Sequence, residues 1–495
     1  GHEPEGDARM AAAAALQPIA LGLMAAAAAT FVPPPPGYEP EPPPADVKLT
    51  HAGTLSARFP PHDLNWTARE LITAWEWERA RVRPVPFYIY DGVDGINASA
   101  AIDELRKCKE AHTYKHAADA YFLFQLASHS WRVKDPAMAA FLIPPVSIGL
   151  QELCSTQSTT AAVLGAVQRS PLWSARRFDH LFLVGHFRVR PRDVPGTPHV
   201  TWVSFTAGRF TYRGHWQARL MAPYLDLNSS LRHFKEANAT RDVAFFFGGQ
   251  TLADRLHPGY HVRASLRDRM GTLWTTRGLP QENVFVATNG APPDLPVCKA
   301  QALRAGTRAA CRGAFSEADI MPRAAFALAV RGDTPGTNRL ERCVEFGAVP
   351  VFVSDKVFHV AVPFQCMVPY DHFSAHIGEV AFKCNPGMAL LHVLHEWPPR
   401  RRERARELMR HFAKDLLWRL PGSRVAENVL LEAAFMRHTT PVVRKPARAS
   451  VPPCGFRNRL LYDRTPSGST AAWVRRFRVR NKTWPCPTDS SSGRV

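Results

Sequence analysis

The stretch AFALAVRGDTPGTNRLERCVEFGAVPVFVSD, residues 325–355, decides the fold of this chain. Its two apolar runs, AFALAV and AVPVFVS, have the length and composition of strands that are buried on both faces of a parallel sheet. The glycines and the proline between them break regular structure. Asn338 is a predicted helix N-cap with Glu341 as its capping-box partner, and Gly347 is predicted to end that helix. The stretch therefore predicts a strand–helix–strand unit of a parallel α/β sheet.

The loop between the first strand and the helix is a candidate anion site. Ligands of parallel sheets bind outside the carboxyl ends of the strands. A helix N-terminus there offers free N–H groups and a partial positive charge, which suit phosphate. Arg331 and Arg339 flank this place, and arginine makes two-pronged contacts with phosphate. An ordinary βα loop with solvent-exposed arginines fits the stretch as well, so the local sequence leaves both interpretations open.

The length and the charge of the chain limit the classes of function. A chain of 495 residues is too long for one core, so we expect at least two domains. The net charge of +19 fits polyanions, nucleotides or anionic membrane surfaces, or simply an arginine-rich solvated surface. The sequence has no zinc-finger spacing, RNA-binding aromatic motif or heptad zipper, and we expect no nucleic-acid partner.

Cysteines and glycosylation sequons favour an oxidising compartment. The nine cysteines include no CxxC pair, so we expect no structural zinc site. A Cys298–Cys311 disulfide is a possible pairing, and Cys343, on the apolar face of the predicted helix, is a candidate buried free thiol. Sequons that support a luminal location lie at Asn65, Asn97, Asn228, Asn238 and Asn481.

The N-terminal region is a candidate targeting segment. Residues 10–32 are apolar and alanine-rich, and a run of prolines follows at 33–36. This pattern predicts a signal peptide or a signal anchor with a proline-rich stalk, and a low-complexity tail is the alternative. No other stretch approaches the ~20 apolar residues that are needed to span a bilayer.

The order of apolar runs and breakers predicts the domain organisation. We expect a helix within 117–131, strands within 138–147, 178–189 and 241–250, and a long amphipathic helix at 400–420. Leu408, Phe412 and Leu416 form the apolar stripe of that helix, which we expect to pack near the junction of two halves. The predicted divisions are a leader or anchor with linker, an N-terminal acceptor-side domain, a C-terminal nucleotide-binding domain, and a C-terminal helix with a peripheral tail: 1–60, 84–240, 241–425 and 426–495.

Several motifs occur together in one known order. FYIYDG at 87–92, FDHLFLVGH at 178–186, RDVAFFFGG at 241–249 and the RGDTPGTNR…GAVPVFVSD block at 331–355 resemble the exostosin-type glycosyltransferases of family 47. The block is the specific part, because its order and spacing match over about 25 positions, and the resemblance covers roughly residues 84–425.

The resemblance implies a fold, a reaction and a location. The fold would be α/β of the GT-B type, in which two Rossmann-like domains face a central cleft that holds a UDP-sugar. The reaction would transfer the sugar, with inversion, to a glycan or glycoprotein acceptor, such as a cell-wall or proteoglycan glycan. The enzyme would be a type II protein of the Golgi membrane with a luminal catalytic domain, or a secreted one, and an oligomer is possible. No cofactor or metal is expected, and the sequence contains no D-x-D pair.

The resemblance also assigns the loop. Arg331 and Arg339 would neutralise the diphosphate of the donor, helped by the hydroxyls of Thr334 and Thr337, and both arginines are expected to point into a solvent-filled cleft. Members usually carry an acid three residues after the loop arginine, where this chain has Arg342. The ribose would then be held by Glu345, or Glu341 only caps the helix and nothing holds the ribose. The predicted donor set is Arg241, Arg331, Gly332, Asp333, Thr334, Thr337, Asn338, Arg339, Glu341 and Glu345.

The departure at Arg342 leaves a second function open. The chain could be a catalytically degenerate exostosin-like domain that binds polyanionic glycans or partners a catalytic subunit. An active inverting enzyme needs a general base for the acceptor hydroxyl, and we expect it in the N-terminal half. His186 is the favoured candidate and Asp91 the second. Asp179 and His180 match a family DH pair that more simply orients a strand end, and the last candidate is Asp94.

Overall fold

The computed structural model describes most of the predicted globular region. The described residues are 67–80, 82, 84–185, 200–204, 208–209, 217–218, 220–226, 241–250, 260–268, 277, 284–289, 317–332, 337–355, 362–364 and 367–439. All of them lie in the larger of the two units into which the chain divides, residues 50–495. The predicted leader, the sequons other than Asn97, and the tail beyond 439 lie outside the described residues.

Short parallel strands form the sheets of the N-terminal half. β1 pairs with β2, and β3, β4 and β7 form a second parallel sheet. A parallel bridge between Leu142 and His180 connects the two sheets, so the strands continue from β1 across to β7. The strands of this half are β1 Phe87–Ile89, β2 Phe141–Ile143, β3 Leu181–Val184, β4 Thr201–Ser204, the antiparallel pair β5 Gly208–Arg209 and β6 Gln217–Ala218, and β7 Leu220–Met221.

Helices cover these strands. The amphipathic helix α2 begins after Asn97, whose side chain accepts a hydrogen bond from the N–H of Ala100. The helix predicted within 117–131 is α4, and Phe122, Leu123 and Leu126 anchor it in the core. The helices of this half are α1 Ala68–Ala80, α2 Ala98–Lys107, α3 Lys109–Thr113, α4 Ala118–Ala127, α5 Gln157–Arg169 and α6 Pro171–Ala175, with 3-10 turns at Pro136–Met138 and Arg177–Asp179.

A five-stranded parallel sheet forms the centre of the C-terminal half. Its order is β12-β11-β10-β8-β9, so the strand–helix–strand unit of the opening stretch lies in the middle of the sheet. Every residue of β10 and β11 is buried, which explains their uninterrupted apolar sequences. The strands are β8 Val243–Gln250, β9 Val284–Asn289, β10 Ala324–Val330, β11 Val349–Val353 and β12 Ala375–Ile377.

The C-terminal helices flank this sheet and continue beyond it. The long amphipathic helix predicted at 400–420 is α13, and Leu408, Phe412 and Leu416 are all fully buried, as their stripe predicts. The helices are α7 Tyr260–Asp268, α8 Glu317–Ile320, α9 Arg339–Phe346, α10 Tyr370–Phe373, α11 Glu379–Cys384, α12 Pro386–Glu396, α13 Pro399–Leu416 and α14 Val425–Thr439, with a 3-10 turn at Met321–Arg323.

The two halves have separate sheets and a shared core. No described strand belongs both to the sheets of residues 87–221 and to the five-stranded sheet. The largest apolar cluster nevertheless runs from Ala68 to Ala433 and includes residues of both halves. α13 packs on α1 and α9, and α14 packs on α4 and β7. The fold is therefore mixed α/β with parallel sheets, consistent with the Rossmann-like GT-B architecture, and the domain boundaries stay a prediction.

The helix of the opening stretch has one predicted cap and lacks the other. α9 ends at Gly347, which adopts the left-handed conformation at φ 70°. At its start, Asn338 occupies the N-cap position but makes no side-chain cap hydrogen bond. The predicted capping box is wrong, because the Glu341 carboxyl accepts a hydrogen bond from the N–H of Tyr224 instead.

Disulfide bonding is present, at a pair that the sequence analysis did not single out. Cys108 and Cys154 are bonded across 46 residues of sequence, and Cys384 is also disulfide-bonded. Cys343 is a buried free thiol, as predicted, whereas the predicted Cys298–Cys311 pair lies outside the described residues.

Removing the Cys108–Cys154 bridge is expected to destabilise the fold. Closing a loop of 46 residues restricts the unfolded chain, and such bridges contribute about 2–4 kcal/mol. Urea unfolding of the Cys108→Ala/Cys154→Ala double variant should show this loss. Cys343→Ala is the matched control, because it removes a buried thiol without a cross-link, and should cost about 1 kcal/mol. An unchanged urea midpoint in the double variant would contradict a stabilising bridge.

The length and hydropathy of the described helices bear on whether any of them can span a membrane. None of the helices within residues 67–439 that the structure describes is long and apolar enough to cross a bilayer. The predicted anchor at residues 10–32 lies outside the described residues, and it stays a prediction.

Candidate functional site

The candidate site lies at the carboxyl edge of the five-stranded sheet. β10 ends at Val330, and Arg331 and Gly332 leave the sheet toward the loop. Thr337 and Asn338 lead from the loop into α9, and the Thr337 hydroxyl accepts a hydrogen bond from the N–H of Arg339 at 3.3 Å. Asp333 and Thr334, two of the predicted loop residues, lie outside the described residues.

Arg331 is held beside the neighbouring strand end. Its Nη1 donates to Glu379 Oε1 at 3.1 Å, and the same carboxylate accepts from the N–H of Asp355, which follows β11. The Arg331 Nε is buried, and none of the described residues accepts a hydrogen bond from it. The ion pair with Glu379 therefore fixes the position of the guanidinium.

Arg339, the first residue of α9, is buried and paired. Its guanidinium forms an ion pair with Glu317 and donates to the main-chain carbonyl of Gly248. The ring of Phe247 lies 6.0 Å from the guanidinium carbon. Arg339 is only 8% exposed, so it does not point into a solvent-filled space as expected. The expectation is wrong because the guanidinium is bonded to the main chain of β8 and paired with Glu317.

The Gly-Gly pair of β8 lies beside this guanidinium. A Cβ at Gly249 would lie 3.4 Å from the Arg339 Nη2 and 3.3 Å from the Phe247 ring, and one at Gly248 would lie 2.9 Å from the Phe246 ring. Side chains at these positions would crowd the aromatic rings, whereas their distances to the arginine would be ordinary van der Waals contacts. The RDVAFFFGG motif therefore lies against the loop arginine without excluding it.

A third arginine, which the sequence analysis missed, completes the group. Arg263 on α7 donates from Nε and Nη2 to the carbonyl of Val330, and from Nε to that of Arg331. A Cβ at Gly332 would lie 2.8 Å from the Arg263 Nη2, so this glycine is needed for the contact. The available signal was an arginine in the first turn of the helix that follows the Gly-Gly strand.

The two acids of α9 that belong to the predicted donor set, Glu341 and Glu345, face the protein interior. Glu345 is fully buried and accepts from Arg342 Nη1 at 2.8 Å. Glu341 is 3% exposed and accepts from the N–H of Tyr224 at 3.0 Å. Arg342 thus neutralises an acid of its own helix, and the ribose role of Glu345 stays a prediction.

Arg241 is placed far from the loop. It precedes β8 and donates to the main-chain carbonyls of Met321, Ala324 and Phe346, which lie at the amino edge of the sheet. The length of β10 separates this edge from Arg331 by roughly 20 Å. The prediction that Arg241 binds the donor is therefore corrected: it bonds strand starts and the end of α9. Burial, with repulsion from Arg406, lowers the pKa of Arg241 to about 10.

The candidate bases of the N-terminal half lie at different ends of its parallel strands. Asp179 and His180 precede β3, at its amino end. Asp179 pairs with Arg176, and the buried His180 lies 2.6 Å from the Tyr90 hydroxyl, which fits the orienting role that the sequence favoured. Neither residue is placed to meet an acceptor at the carboxyl edge.

The other candidates lie toward carboxyl strand ends. Asp91 follows β1, accepts from the N–H of Ala98 at 3.0 Å, and lies 3.5 Å from Arg132, so it fixes the start of α2. Asp94 is an exposed turn residue at φ 46°. His186 follows Gly185 at the carboxyl end of β3 but lies outside the described residues, so its role stays a prediction.

A small open depression lies beside Gly185. It is shallow and is lined by the start of α4, the end of β3 and the segment after β7. The lining residues are Lys115, Ala118, Leu183, Gly185, Ala222, Pro223 and Tyr224. In the described part of the chain, no group of three or more His, Cys, Asp or Glu side chains is arranged to hold a metal ion.

Buried acids make the stability of the protein depend on pH. Burial raises the pKa of Glu341 and of Glu432 to about 8. Because the folded pKa exceeds the unfolded value near 4.5, each acid favours folding at low pH and loses that contribution as pH rises from 4.5 to about 8. The expected loss is about 1.4 kcal/mol per pH unit for each group below pH 8.

Thermal melts between pH 6.5 and 9 test this expectation. The melting temperature should fall up to pH 8 and then level off. Glu432→Gln should make the fall shallower, since the amide cannot ionise. A melting temperature that rises over this range would contradict the assignment of two neutral buried acids.

Comparison with known proteins agrees with this geometry. The family model of the Exostosin GT47 domain matches residues 81–384, which is more than half of the chain. The match spans β1 to the end of α11 and includes both the strand–helix–strand unit with Arg331 and Arg339 and the helix α7 with Arg263. No curated protein matches the chain.

Proposed function

The chain belongs to the exostosin GT47 family of glycosyltransferases, and we propose that it is an inverting enzyme that transfers a sugar from a UDP-sugar to a glycan or glycoprotein acceptor. One observation carries the proposal. Arg263, Arg331 and Arg339 all lie at the carboxyl edge of a parallel sheet, next to a helix N-terminus, with Arg263 beside Gly332 and Arg339 beside Gly248.

Such an arrangement suits a diphosphate leaving group. Arginines and N–H groups stabilise the negative charge that develops on the departing UDP, and the charge is best stabilised by donors that are already fixed in place. Glu317 and Glu379 hold Arg339 and Arg331 in position before the donor binds. In this proposal the arginines stabilise the leaving group, and neither a metal nor a cofactor is needed.

The acceptor would be activated from the N-terminal half. Inversion in one step requires a base that removes the proton of the acceptor hydroxyl while the UDP leaves from the opposite face. His186 is the proposed base, because it follows the carboxyl end of β3. Asp91 is the weaker alternative, since its carboxylate already binds the N–H of Ala98.

A donor screen tests the proposed activity directly. The protein should release UDP from one of a panel of UDP-sugars when suitable glycan acceptors are present. Arg331→Ala should lose this activity, whereas Arg323→Ala should keep it, because Arg323 is a half-exposed arginine paired with Asp242 at the amino edge. Absence of UDP release with every donor would contradict the catalytic proposal.

A Golgi location with a luminal catalytic domain follows from the same proposal. The support is the apolar segment 10–32, the disulfide between Cys108 and Cys154, and the exposed sequon residue Asn97. We expect protein expressed in a secretory host to migrate faster on a gel after glycosidase treatment. An unchanged migration together with a cytosolic location would contradict it.

A second candidate function has one specific observation in its favour. Arg342 occupies the position of the usual family acid and pairs with Glu345, while Arg331 and Arg339 are paired with acids of their own chain. A degenerate domain that binds polyanionic glycans or a catalytic partner would show these pairings. It would bind an anionic glycan without releasing UDP from any UDP-sugar, so the donor screen separates the two functions.

A further inference from the structure

Residues 222–226 form a junction that several elements hold in place. The segment follows β7, and the N–H of its first residue, Ala222, donates to Ser204 O in β4. Trp418 Nε1, from the chain after α13, donates to Pro223 O at 2.9 Å, and the N–H of Arg419 donates to Asp226 Oδ1 at 3.2 Å. The N–H of Leu225 donates to Lys115 O at 3.0 Å. Its position is therefore determined by both halves of the chain.

Glu341 joins the loop helix to this junction. Its Oε1 accepts the N–H of Tyr224 at 3.0 Å across 117 residues of sequence. Glu341 lies two residues after Arg339 on α9, so the contact connects the helix of the donor loop to the N-terminal half. The second oxygen, Oε2, is buried without a hydrogen-bond partner among the described residues, as is Asp226 Oδ2.

A buried carboxylate with one unpartnered oxygen is unfavourable unless it is protonated. Several groups act on the Glu341 charge: Asp226 disfavours it, Arg342 favours it, and Cys343 and Tyr370 are the neutral titratable neighbours. Asp415 of α13 is turned to Arg79 and Arg424. β10 and β11, which also pack on α9, carry no charged side chain.

We propose that Glu341 is a positioning residue that joins α9 to Tyr224 and thereby sets Arg339 and the start of α9 relative to the acceptor-side edge at Gly185. The catalytic role of Glu341 rests on the proposed function, whereas the contact between Glu341 and Tyr224 is independent of that function.

The contacts beyond Tyr224 lead to that edge. The Tyr224 ring packs against the ring of His116, with centroids 5.3 Å apart. His116 Nδ1 lies 3.0 Å from the carbonyl oxygen of Gly185 and donates to it. Gly185 immediately precedes His186, the proposed base. A shift of α9 away from Tyr224 would therefore change the spacing between the donor arginines and the acceptor-side strand end.

The test compares wild type with Glu341→Gln, Glu341→Ala and Glu432→Gln. The glutamine keeps an oxygen that accepts the Tyr224 N–H and cannot ionise, whereas the alanine removes the contact. Glu432→Gln is the matched control, since Glu432 is equally buried and has a similarly raised pKa, but does not contact Tyr224. Two readouts are used: hydrogen-exchange protection of the Tyr224 amide between pH 6.5 and 9, and kcat and KM over the same range.

We expect the protection of the Tyr224 amide to fall by up to about tenfold per pH unit between pH 6.5 and 8, and to level off above pH 8, in wild type and in Glu432→Gln, because opening of the contact lets Glu341 ionise. It should stay constant in Glu341→Gln and be low at every pH in Glu341→Ala. kcat should be close to wild type in Glu341→Gln and low in Glu341→Ala, with KM for the donor changed less, because spacing of the reacting groups acts on the chemical step.

Two results would overturn the inference. One is protection of the Tyr224 amide in Glu341→Gln that falls with pH as in wild type. The other is a folded Glu341→Ala variant with wild-type protection and wild-type kcat. If no variant, wild type included, shows UDP release while the protection follows the expected pattern, the proposed function fails and the Glu341–Tyr224 contact stands as a purely structural one.

Discussion

Arg339→Ala is expected to weaken UDP binding by roughly ten- to a hundredfold. A hydrogen bond to a charged group contributes roughly 1.5–3 kcal/mol, and about 1.4 kcal/mol corresponds to a factor of ten in affinity. Because the guanidinium is also bonded to Gly248 O and paired with Glu317, the variant should lose stability as well. Arg339→Lys should recover only part of the affinity, since lysine lacks the planar fork.

Calorimetric titration of UDP, together with thermal melts, measures both effects. Arg323→Ala is the matched control, because Arg323 is paired with Asp242 at the amino edge and is far more exposed. It should leave UDP affinity unchanged and cost at most about 1 kcal/mol of stability. An Arg339→Ala protein that is folded and binds UDP as tightly as wild type would remove Arg339 from the donor site.

Gly185→Ala is expected to be the most damaging single substitution at the acceptor-side edge. A Cβ at this position would lie inside the van der Waals distance of His116 O, 3.0 Å from its carbonyl carbon and 3.2 Å from the Ala118 nitrogen. These are main-chain atoms, so no side-chain rotation relieves the overlap. We expect a loss above about 4 kcal/mol, or failure to fold, because β3 must separate from the start of α4.

Gly165→Ala provides the contrast within the same half. Gly165 lies inside α5, and a Cβ there would meet only the flexible end of Arg169, at 3.3 Å. Alanine is the better helix former, so this variant should gain up to about 1 kcal/mol. The melting temperatures of the two purified variants test the expected loss in Gly185→Ala and the expected gain in Gly165→Ala. A Gly185→Ala protein that melts within a few degrees of wild type would show that the close approach to His116 is not required.

Local sequence signals predicted the elements better than the contacts between them. The strands on both sides of RGDTPGTNR, the start of α9 near Asn338 and its end at Gly347 all follow from apolar runs and breakers. The Glu341 side chain did not, because a residue 117 positions earlier in the chain offers its N–H to that carboxyl. No pattern in the neighbouring sequence predicts such a long-range contact.

The candidate site also depends on contacts between distant residues that the local sequence does not predict. Arg331 and Arg339 were found because they flank the loop, whereas Arg263 reaches Gly332 from a helix 69 residues earlier. Arg241 was misplaced because a motif match locates a residue along the chain and not at one edge of the sheet. The expected solvent exposure of Arg339 was wrong, since its guanidinium lies beside the glycines of β8, which are far from Arg339 in the sequence.

The most direct test of the central claim is calorimetric titration of UDP into wild type, Arg331→Ala and Arg339→Ala, with pyrophosphate titrated in parallel. If the three arginines hold the diphosphate, wild type binds both ligands, and each variant binds both more weakly by roughly ten- to a hundredfold. If wild type binds no UDP at millimolar concentrations, or both folded variants bind it as wild type does, the loop at residues 331–339 does not hold a nucleotide-sugar donor.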